Sequence, residues 1–217
     1  VRSRGLGDVY KRQNPDDAYW MLRQSIDSPD PVIFFESQRI YDIGEQFHKE
    51  GVPVGYYEIP LGEPDIKREG SDITILTVGA TLYRAVEAAG ILKDKYGISA
   101  ELIDARSLVP LNYEPVLESV KKTGRIVLAG DASERGSFLN DMARNITELA
   151  FDYLDAPVMV VGSRNWIIPA YELEDYFFPQ AGWIIDAIHT GILPLEGHIV
   201  KNDFSAKAKI ERAKRGI

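Results

Sequence analysis

Two carboxylates in one short loop are the first candidates for chemistry in this sequence. Asp131 and Glu134 lie in the stretch GDASERG, directly after the apolar run IVLA. A loop can hold two carboxyl groups in different environments and so separate their pKa values, as general acid and base catalysis requires. Aspartate and serine in front of a helix are also common N-capping residues. We favour the capping interpretation for this loop.

Motifs for nucleophilic and nucleotide chemistry are absent from the sequence. There is no GxSxG nucleophile elbow, and Ser133 and Ser163 have no histidine near them along the chain. Gly79-Ala80-Thr81 has too few glycines for a dinucleotide fingerprint, and the GxxxxGKS/T phosphate loop does not occur. We interpret this glycine as part of a strand-to-helix turn, and the sequence argues against a hydrolase.

The chain offers few metal ligands. It has no cysteine, and its three histidines, His48, His189 and His198, are scattered. Disulfides and thiolate chemistry are therefore excluded, and a His-rich metal cage is not expected. His189 follows an apolar helical pattern and is expected to have a structural role at the negative end of the helix dipole. The lack of cysteine favours an intracellular, cytoplasmic chain.

Charge and hydropathy limit the partners. The net charge is −8, and a nucleic-acid surface would need clustered Lys and Arg, so no nucleic-acid partner is expected. An acidic chain suits a basic protein partner better. No apolar run approaches the roughly 20 residues that span a bilayer, so no membrane segment is predicted.

The loops discussed above connect strands and helices that are predicted to alternate along the chain. Apolar, β-branched runs predict strands at 73–78, 98–103, 126–129 and 157–161, and helical patterns fill the gaps at 82–96, 112–122 and 138–153. Continuous apolar strands joined by helices predict a mostly parallel sheet covered on both faces, a three-layer α/β/α fold. Gly97 and Gly124 stand where left-handed helix caps are expected.

The chain upstream of this pattern has a different character. Asn14 and the proline after it predict the start of a helix that runs to about residue 27, and VIFFE predicts a strand at 32–36. We interpret 14–36 as the end of an earlier α/β domain. Residues 37–63 are rich in glycine and proline, as in an interdomain connector, and we place the boundary near Gly62, with the main domain at 64–194.

Both ends of the chain lack the strand and helix patterns of the predicted domain. Residues 1–13 have no initiator methionine and no periodicity, and they resemble read-through of a sequencing adapter; a natural basic linker is the alternative. Residues 195–217 form a basic tail with six Lys and Arg. This tail is either a basic helix that docks on an acidic neighbour or a solvated end, and we favour the solvated end.

Six stretches, in this order, resemble one family. They are NPDDA, PVIFFE, residues 56–79 (YYEIPLGEPDIKREGSDITILTVG), EAAGILKDKYGISAELIDARSLVPL, ESVKKTGRIVLAGD and AFDYLDAPVMVVG. Together they span most of residues 14–198. The chain resembles the C-terminal part of the β-subunit of thiamine-diphosphate-dependent 2-oxoacid dehydrogenases, of the pyruvate and branched-chain type.

The resemblance implies a transketolase C-terminal-like domain after the remnant of a pyrimidine-binding domain. It also implies a heterotetramer of two α- and two β-subunits, with thiamine diphosphate and Mg²⁺ bound between them and an acyl group passed to a lipoyl carrier. The catalytic glutamate of such β-subunits precedes Asn14. We therefore assign no catalytic, cofactor or metal residue here and expect no cofactor to bind this fragment alone.

The resemblance further implies that the domain helps to assemble the subunits and to dock the lipoyl acyltransferase core through its small basic binding domain. Asp155 is the acid expected to face that partner, with Asp152 behind it; two solvated acids at a helix end are the alternative. Residues 163–170 and 130–136 depart from the family pattern and mark a subgroup. Another transketolase-superfamily enzyme and a non-catalytic interaction module remain as alternative functions, and the preferred 2-oxoacid is not readable.

Overall fold

The computed structural model describes residues 8–11, 15–44, 46–47 and 58–216. In this part of the chain the strands are β1 (Asp8–Lys11), β2 (Val32–Phe35), β3 (Asp65–Arg68), β4 (Ile73–Val78), β5 (Ala100–Asp104), β6 (Ser107–Val109), β7 (Ile126–Ser133) and β8 (Met159–Ser163). The α-helices are α1 (Pro15–Asp27), α2 (Thr81–Tyr96), α3 (Glu114–Thr123), α4 (Phe138–Ala150), α5 (Glu174–Phe177), α6 (Ala181–Gly191) and α7 (Ala206–Arg215). Short 3₁₀ turns occupy Gln38–Ile40, Phe151–Tyr153 and Tyr171–Leu173.

Strand β4 lies at the centre of a five-stranded sheet with the order β3-β5-β4-β7-β8. Strands β5, β4, β7 and β8 run parallel, and β3 pairs antiparallel with β5 at one edge. All residues of β4 and β5 are buried. Parallel strands that are covered on both faces need a nearly continuous apolar sequence, and this is the pattern that predicted them.

Helices cover both faces of this sheet, which confirms the predicted three-layer α/β/α architecture. Helices α2 and α6 pack on one face, and α3 and α4 pack on the other. The first core contains Leu82, Leu92, Ile184 and Ile188, and the second contains Val116, Val120, Met142 and Ile146. Each such side chain contributes about 1.5–3 kcal/mol when it is fully buried, so the two layers hold the sheet from both sides.

The predicted helix ends agree closely with the structure. Gly97 and Gly124 terminate α2 and α3 in the left-handed conformation, with φ of 70° and 68°. The predicted strand at 73–78 matches β4, whereas β5 begins two residues later than predicted. The helix predicted at 138–153 ends at Ala150 and continues as the 3₁₀ turn Phe151–Tyr153.

Strands β3 and β6 were missed because their sequences lack the apolar pattern of a central strand. Strand β3 reads DIKR and lies at a sheet edge, where charged side chains are common. Strand β6 has only three residues and pairs with β1 in a second, three-stranded sheet of order β2-β1-β6. Edge pairing of this kind depends on the neighbouring strand rather than on local periodicity.

The second sheet involves the upstream segment. Strand β1 lies within the 1–13 segment, which the sequence excluded from the fold, while residues 1–7 and 12–13 lie outside the described residues. Helix α1 buries Trp20 and Met21 against Ile59, and the Gln24 amide accepts from and donates to the Ile59 backbone at 3.4 and 3.1 Å. The predicted cap Asn14 and the connector positions Gly51, Pro53 and Gly55 lie outside the described residues.

The basic tail packs on the main domain. Leu195 and Phe204 are 3% and 1% exposed and belong to the core beneath α2 and α6. Ser205 begins helix α7 by accepting a hydrogen bond from the Ala208 N–H at 3.3 Å. The solvated end that the sequence favoured is therefore corrected: a single buried aromatic side chain anchors this segment, and one aromatic residue among polar ones leaves no periodic signal.

Candidate functional site

Asp131 caps a helix, but not the helix expected from its place in the sequence. Its Oδ1 accepts the Thr81 N–H at 3.0 Å and its Oδ2 accepts the Ala80 N–H at 3.2 Å. The Thr81 hydroxyl also donates to Oδ1. The carboxylate thus lies at the positive end of α2, which follows the neighbouring strand β4, rather than at the start of α4. The capping interpretation is confirmed with this correction. Both carboxylate oxygens of Asp131 already accept hydrogen bonds from the start of α2, which leaves them poorly placed for acid–base catalysis.

Glu134 faces a different partner. Its Oε1 lies 3.7 Å from Nη2 of Arg212 in α7, and its backbone N–H donates to the Ser163 carbonyl at 2.9 Å. Ser133 accepts the Arg135 N–H at 3.3 Å. In the part of the chain that the structure describes, no hydrogen bond joins Ser133 or Ser163 to a histidine. Asp131 and Glu134 therefore do not form a catalytic pair.

The two described histidines hold the chain segment after α6. His189 lies in the last turn of α6, as predicted, and its Nδ1 accepts the Leu195 N–H at 2.8 Å, so it also holds the turn that follows the helix. His198 contacts buried Asp186 through Nε2 at 2.7 Å and the Tyr96 hydroxyl through Nδ1 at 2.9 Å. Tyr96 ends α2, whereas the loops at the carboxyl ends of the strands lie at its start. This Asp–His–Tyr chain is therefore remote from those loops.

The stretch Glu118–Arg125 joins helix α3 to the sheet. Lys122 forms an ion pair and a hydrogen bond with Glu101 on β5. Glu101 is only 1% exposed. Burial opposes the charge of Glu101, but hydrogen bonds led by that from Lys122 outweigh it and hold the pKa of its carboxyl below the ordinary value. Thr74 bonds to the Ser119 and Thr123 hydroxyls at 2.6 and 2.8 Å. These contacts make the stretch a structural joint.

The same joint positions Asp155. The Asp155 N–H donates to the Gly124 carbonyl at 2.8 Å, and its carboxylate lies 3.6 Å from the Arg125 guanidinium. A Cβ at position 124 would collide with the Asp155 carboxylate, so the absence of a side chain there lets the acid lie close to the helix end. The Asp155 side chain is 63% exposed. The acid is therefore held by its backbone and presented to solvent.

Asp152 and Asp155 lie among exposed apolar side chains. Asp152 belongs to the 3₁₀ turn Phe151–Tyr153 and is exposed. Leu149, Phe151 and Tyr153 are 57%, 72% and 50% exposed. We call these five residues the acidic face. Exposed aromatic groups beside acids combine apolar contact area with charge, as partner-binding surfaces require.

A second exposed surface was not found from the sequence. The segment 166–176, here the apolar loop, follows β8 and exposes Trp166, Ile167, Ile168, Tyr171, Leu173 and Tyr176. Ile167 is 93% exposed, which is unusual for a large aliphatic side chain. The run WIIPA between polar residues was the available signal, but an apolar triplet is equally typical of a buried strand.

The connector is tied to the domain beside β5. Arg106, with φ of 53°, donates from Nη2 and Nε to the Glu63 carbonyl at 2.9 and 3.2 Å. Asn112 donates its N–H to the Gly62 carbonyl at 2.8 Å. These bonds attach residues 62–63, at the predicted domain boundary, to the segment that follows β5.

The described ranges contain neither a metal-binding cluster nor a membrane-spanning helix. Within them, no group of three or more His, Asp or Glu could hold a metal ion. No helix there is long and apolar enough to cross a bilayer. The described residues therefore contain no carboxylate cluster of the kind that would hold Mg²⁺.

Comparison with known proteins identifies the family. The model of the transketolase C-terminal domain matches residues 62–184. The chain belongs to this family. A solved structure described as a split gene transketolase, inactive beta4 tetramer, aligns with a TM-score of 0.65 at 24% identity, covering 87% of this chain and 58% of that one, which supports the fold.

Curated relatives include three kinds of β-subunit. The acetoin:2,6-dichlorophenolindophenol oxidoreductase subunit beta of Bacillus subtilis is 39% identical over 79% of this chain and 49% of its own length. The mitochondrial 2-oxoisovalerate dehydrogenase subunit beta of Dictyostelium discoideum is 43% identical over 76% and 44%. The pyruvate dehydrogenase E1 component subunit beta of Bacillus subtilis is 36% identical over 76% and 50%. The chain spans about half the length of these relatives.

Proposed function

We propose that this chain is the C-terminal part of the β-subunit of a thiamine-diphosphate-dependent 2-oxoacid dehydrogenase, where it assembles subunits and docks an acyltransferase core. The observation that carries the proposal is the identity of 36–43% to β-subunits over three quarters or more of the chain. The loops at the strand ends support an architectural role, since their acids act as a helix cap and an ion-pair partner. The cytoplasmic location stays a prediction.

The cofactor would be held by the remainder of the enzyme. Thiamine diphosphate supplies an electron sink for decarboxylation of a 2-oxoacid. The described residues offer no acidic cluster for Mg²⁺, so no step of that chemistry is assigned to them. We expect no thiamine diphosphate binding by this chain alone in titration calorimetry with Mg²⁺. Micromolar binding would contradict this assignment.

The activity is tested in the complete enzyme. The full-length β-subunit is co-expressed with the α-subunit encoded beside it, and thiamine-dependent turnover is measured with pyruvate, 2-oxoisovalerate, 2-oxoglutarate and acetoin. Acetoin is included because one group of relatives carries it in its name. We expect turnover of one 2-oxoacid above the others. Turnover of acetoin alone would move the proposal to that class, and failure with all four would refute it.

Docking of the acyltransferase core is assigned to the acidic face. Asp155 projects from a fixed backbone position, and exposed charges of this kind mainly accelerate association with a basic partner. We expect Asp155→Asn and Asp152→Asn each to slow binding of the basic domain roughly 2- to 10-fold and to reduce its salt dependence, in surface plasmon resonance. Asp94→Asn removes the same charge from α2, which lies in the opposite helix layer, and serves as the control. Equal effects at position 94 would show that only net charge matters.

Subunit assembly is assigned to the apolar loop. Six large apolar or aromatic side chains exposed within eleven residues form a patch of the kind that subunit interfaces bury. We expect Ile167→Glu to prevent assembly with the α-subunit or with a second β-subunit in light scattering. Ile199→Glu, at a position that is 82% exposed outside the loop, should leave assembly intact. A fully assembled Ile167→Glu enzyme would exclude this surface as the interface.

A further inference from the structure

A cavity beside the edge strand β8 has no role in the proposed function. It measures about 990 Å³ and lies between β8, helix α4 and helix α7 of the tail. Cations from two distant parts of the chain, Arg164 after β8 and Lys209 and Arg212 in α7, line it together. Trp166, Trp183 and Tyr176 contribute aromatic walls. This size and mixture of polar and aromatic groups are typical of small-molecule sites.

Two of the three cations, Arg164 and Lys209, are held in place by neutral contacts. Arg164 stacks 3.9 Å from the Trp183 ring centroid and donates to the Asn202 amide oxygen at 2.6 Å. Lys209 Nζ lies 3.6 Å from the Met159 sulfur. These contacts orient the side chains without neutralising their charges. The cations are therefore preorganised for another anion.

Arg212 has one guanidinium nitrogen to spare. Its Nη1 donates to the Asp203 carbonyl at 2.7 Å, whereas buried Nη2 donates no hydrogen bond within the described residues. Nη2 lies 3.7 Å from Glu134, which is too long for a hydrogen bond. A buried guanidinium nitrogen without an acceptor is costly, so an anion in this cavity would be stabilised.

The charge balance favours a doubly charged ligand. Arg164, Lys209 and Arg212 face one partly buried carboxylate, that of Glu134. The other acid on the lining, Asp175, is 76% exposed and lies 3.9 Å from Arg84, so solvent screens its charge. Arg135 and Lys201 at the rim add further positive charge. Burial lowers the pKa of Lys209 and of Arg164, Glu134 partly opposes this, and the nearby charge of Arg212 adds to the lowering. A chain of net charge −8 thus gathers uncompensated positive charge in one partly desolvated place.

We propose that this cavity binds the phosphate group of a small phosphorylated molecule. The spare Nη2 of Arg212 and the remaining N–H groups of Arg164 can donate to phosphate oxygens, and the ammonium group of Lys209 adds a point charge. Three cations against one carboxylate match a phosphate dianion better than a monocarboxylate. The cavity exceeds the volume of inorganic phosphate, so the remainder of the ligand would lie against the aromatic walls. The lining includes no residue of the acidic face, whereas Trp166 and Tyr176 belong to both the cavity wall and the apolar loop.

The test uses inorganic phosphate and this chain. Isothermal calorimetry should give saturable millimolar binding of phosphate and at least about 10-fold weaker binding of acetate at equal ionic strength. Lys209→Met and Arg212→Leu should each weaken phosphate binding at least about 10-fold. Lys207→Met removes the same charge from an exposed position of the same helix and should bind like the wild type. Equal phosphate affinity in all four proteins, or no saturable binding, would overturn the proposal.

A labelling experiment keeps the test independent of variant folding. Lys209 lines the cavity, so an anion bound there would cover its amine and shield it from acylating reagents. Phosphate should protect Lys209 in the wild-type chain several-fold, measured by mass spectrometry, while chloride at equal ionic strength should not. Lys207 serves as the internal control. Protection that is equal at Lys207 and Lys209, or absent at both, would overturn the proposal.

Discussion

Replacing Gly124 with alanine should destabilise the domain through two separable effects. Gly124 has φ of 68°, and a non-glycine residue in the left-handed region costs roughly 1–2 kcal/mol. The new Cβ would also collide with the Asp155 carboxylate and lie 2.9 Å from its Cγ. Because the Asp155 side chain is 63% exposed, it can rotate away, which costs about 0.5–1.5 kcal/mol. The expected total is about 1.5–3.5 kcal/mol.

Gly97 provides the matched control for the backbone effect. It caps α2 with φ of 70°, and a Cβ there would meet nothing within 4 Å. Gly97→Ala should therefore cost only the roughly 1–2 kcal/mol of the left-handed conformation. The free energy of unfolding is measured by urea titration, with the slope m checked for constancy across variants.

The collision is tested by a double variant. Adding Asp155→Ala to Gly124→Ala should recover about 0.5–1.5 kcal/mol, because the side chain that must move is gone. Gly124→Ala should also slow association with the basic partner, since it displaces the acid without removing it. Equal costs at positions 97 and 124, together with no recovery in the double variant, would refute the placement of Asp155 over the helix end.

Substitutions at four further positions test contacts that hold the fold together, each by urea titration. Asp131→Ala should cost about 1–2 kcal/mol because α2 loses its cap, whereas Asp131→Asn keeps an acceptor and should cost less; equal costs would contradict the capping role. Lys122→Met should cost about 1–2 kcal/mol, since buried Glu101 loses a donor. Because the folded-state pKa of Glu101 is lowered from 4.5, its ionised form stabilises the fold above that pH, and this contribution is lost as the pH falls through the lowered value. Glu101→Gln should therefore flatten the acid limb of the stability profile, and an unchanged limb would contradict this. Phe204→Ala should cost about 3–5 kcal/mol, because the side chain is 1% exposed, and a cost below 1 kcal/mol would show that the tail is not anchored in the core.

Local patterns predicted the central architecture. The apolar runs of β4, β5 and β7 and the glycines after α2 and α3 reflect burial and backbone conformation, which each act over a few residues. For the same reason the edge strand β3 was missed: its sequence DIKR has no apolar run, and its pairing comes from a strand more than thirty residues away.

The partners of single side chains could not be predicted in this way. Asp131 stands in front of α4 in sequence, yet it caps α2 because β4 and β7 are neighbours in the sheet. Phe204 gives no periodic signal and still enters the core. The apolar loop is likewise exposed because neighbouring elements do not cover it, and local sequence does not show which elements will be neighbours.

By itself, the sequence determined the three-layer α/β/α fold, the family, the glycine caps of α2 and α3 and the overall acidity, because these depend on composition and short-range order. Only the tertiary structure decided which charges meet. Arg164 and Lys209 are 45 residues apart and line one cavity, while the nearby acids Asp131 and Glu134 serve different helices. Strand order and helix packing set these distances, and electrostatic interactions depend on distance and burial rather than on separation along the chain.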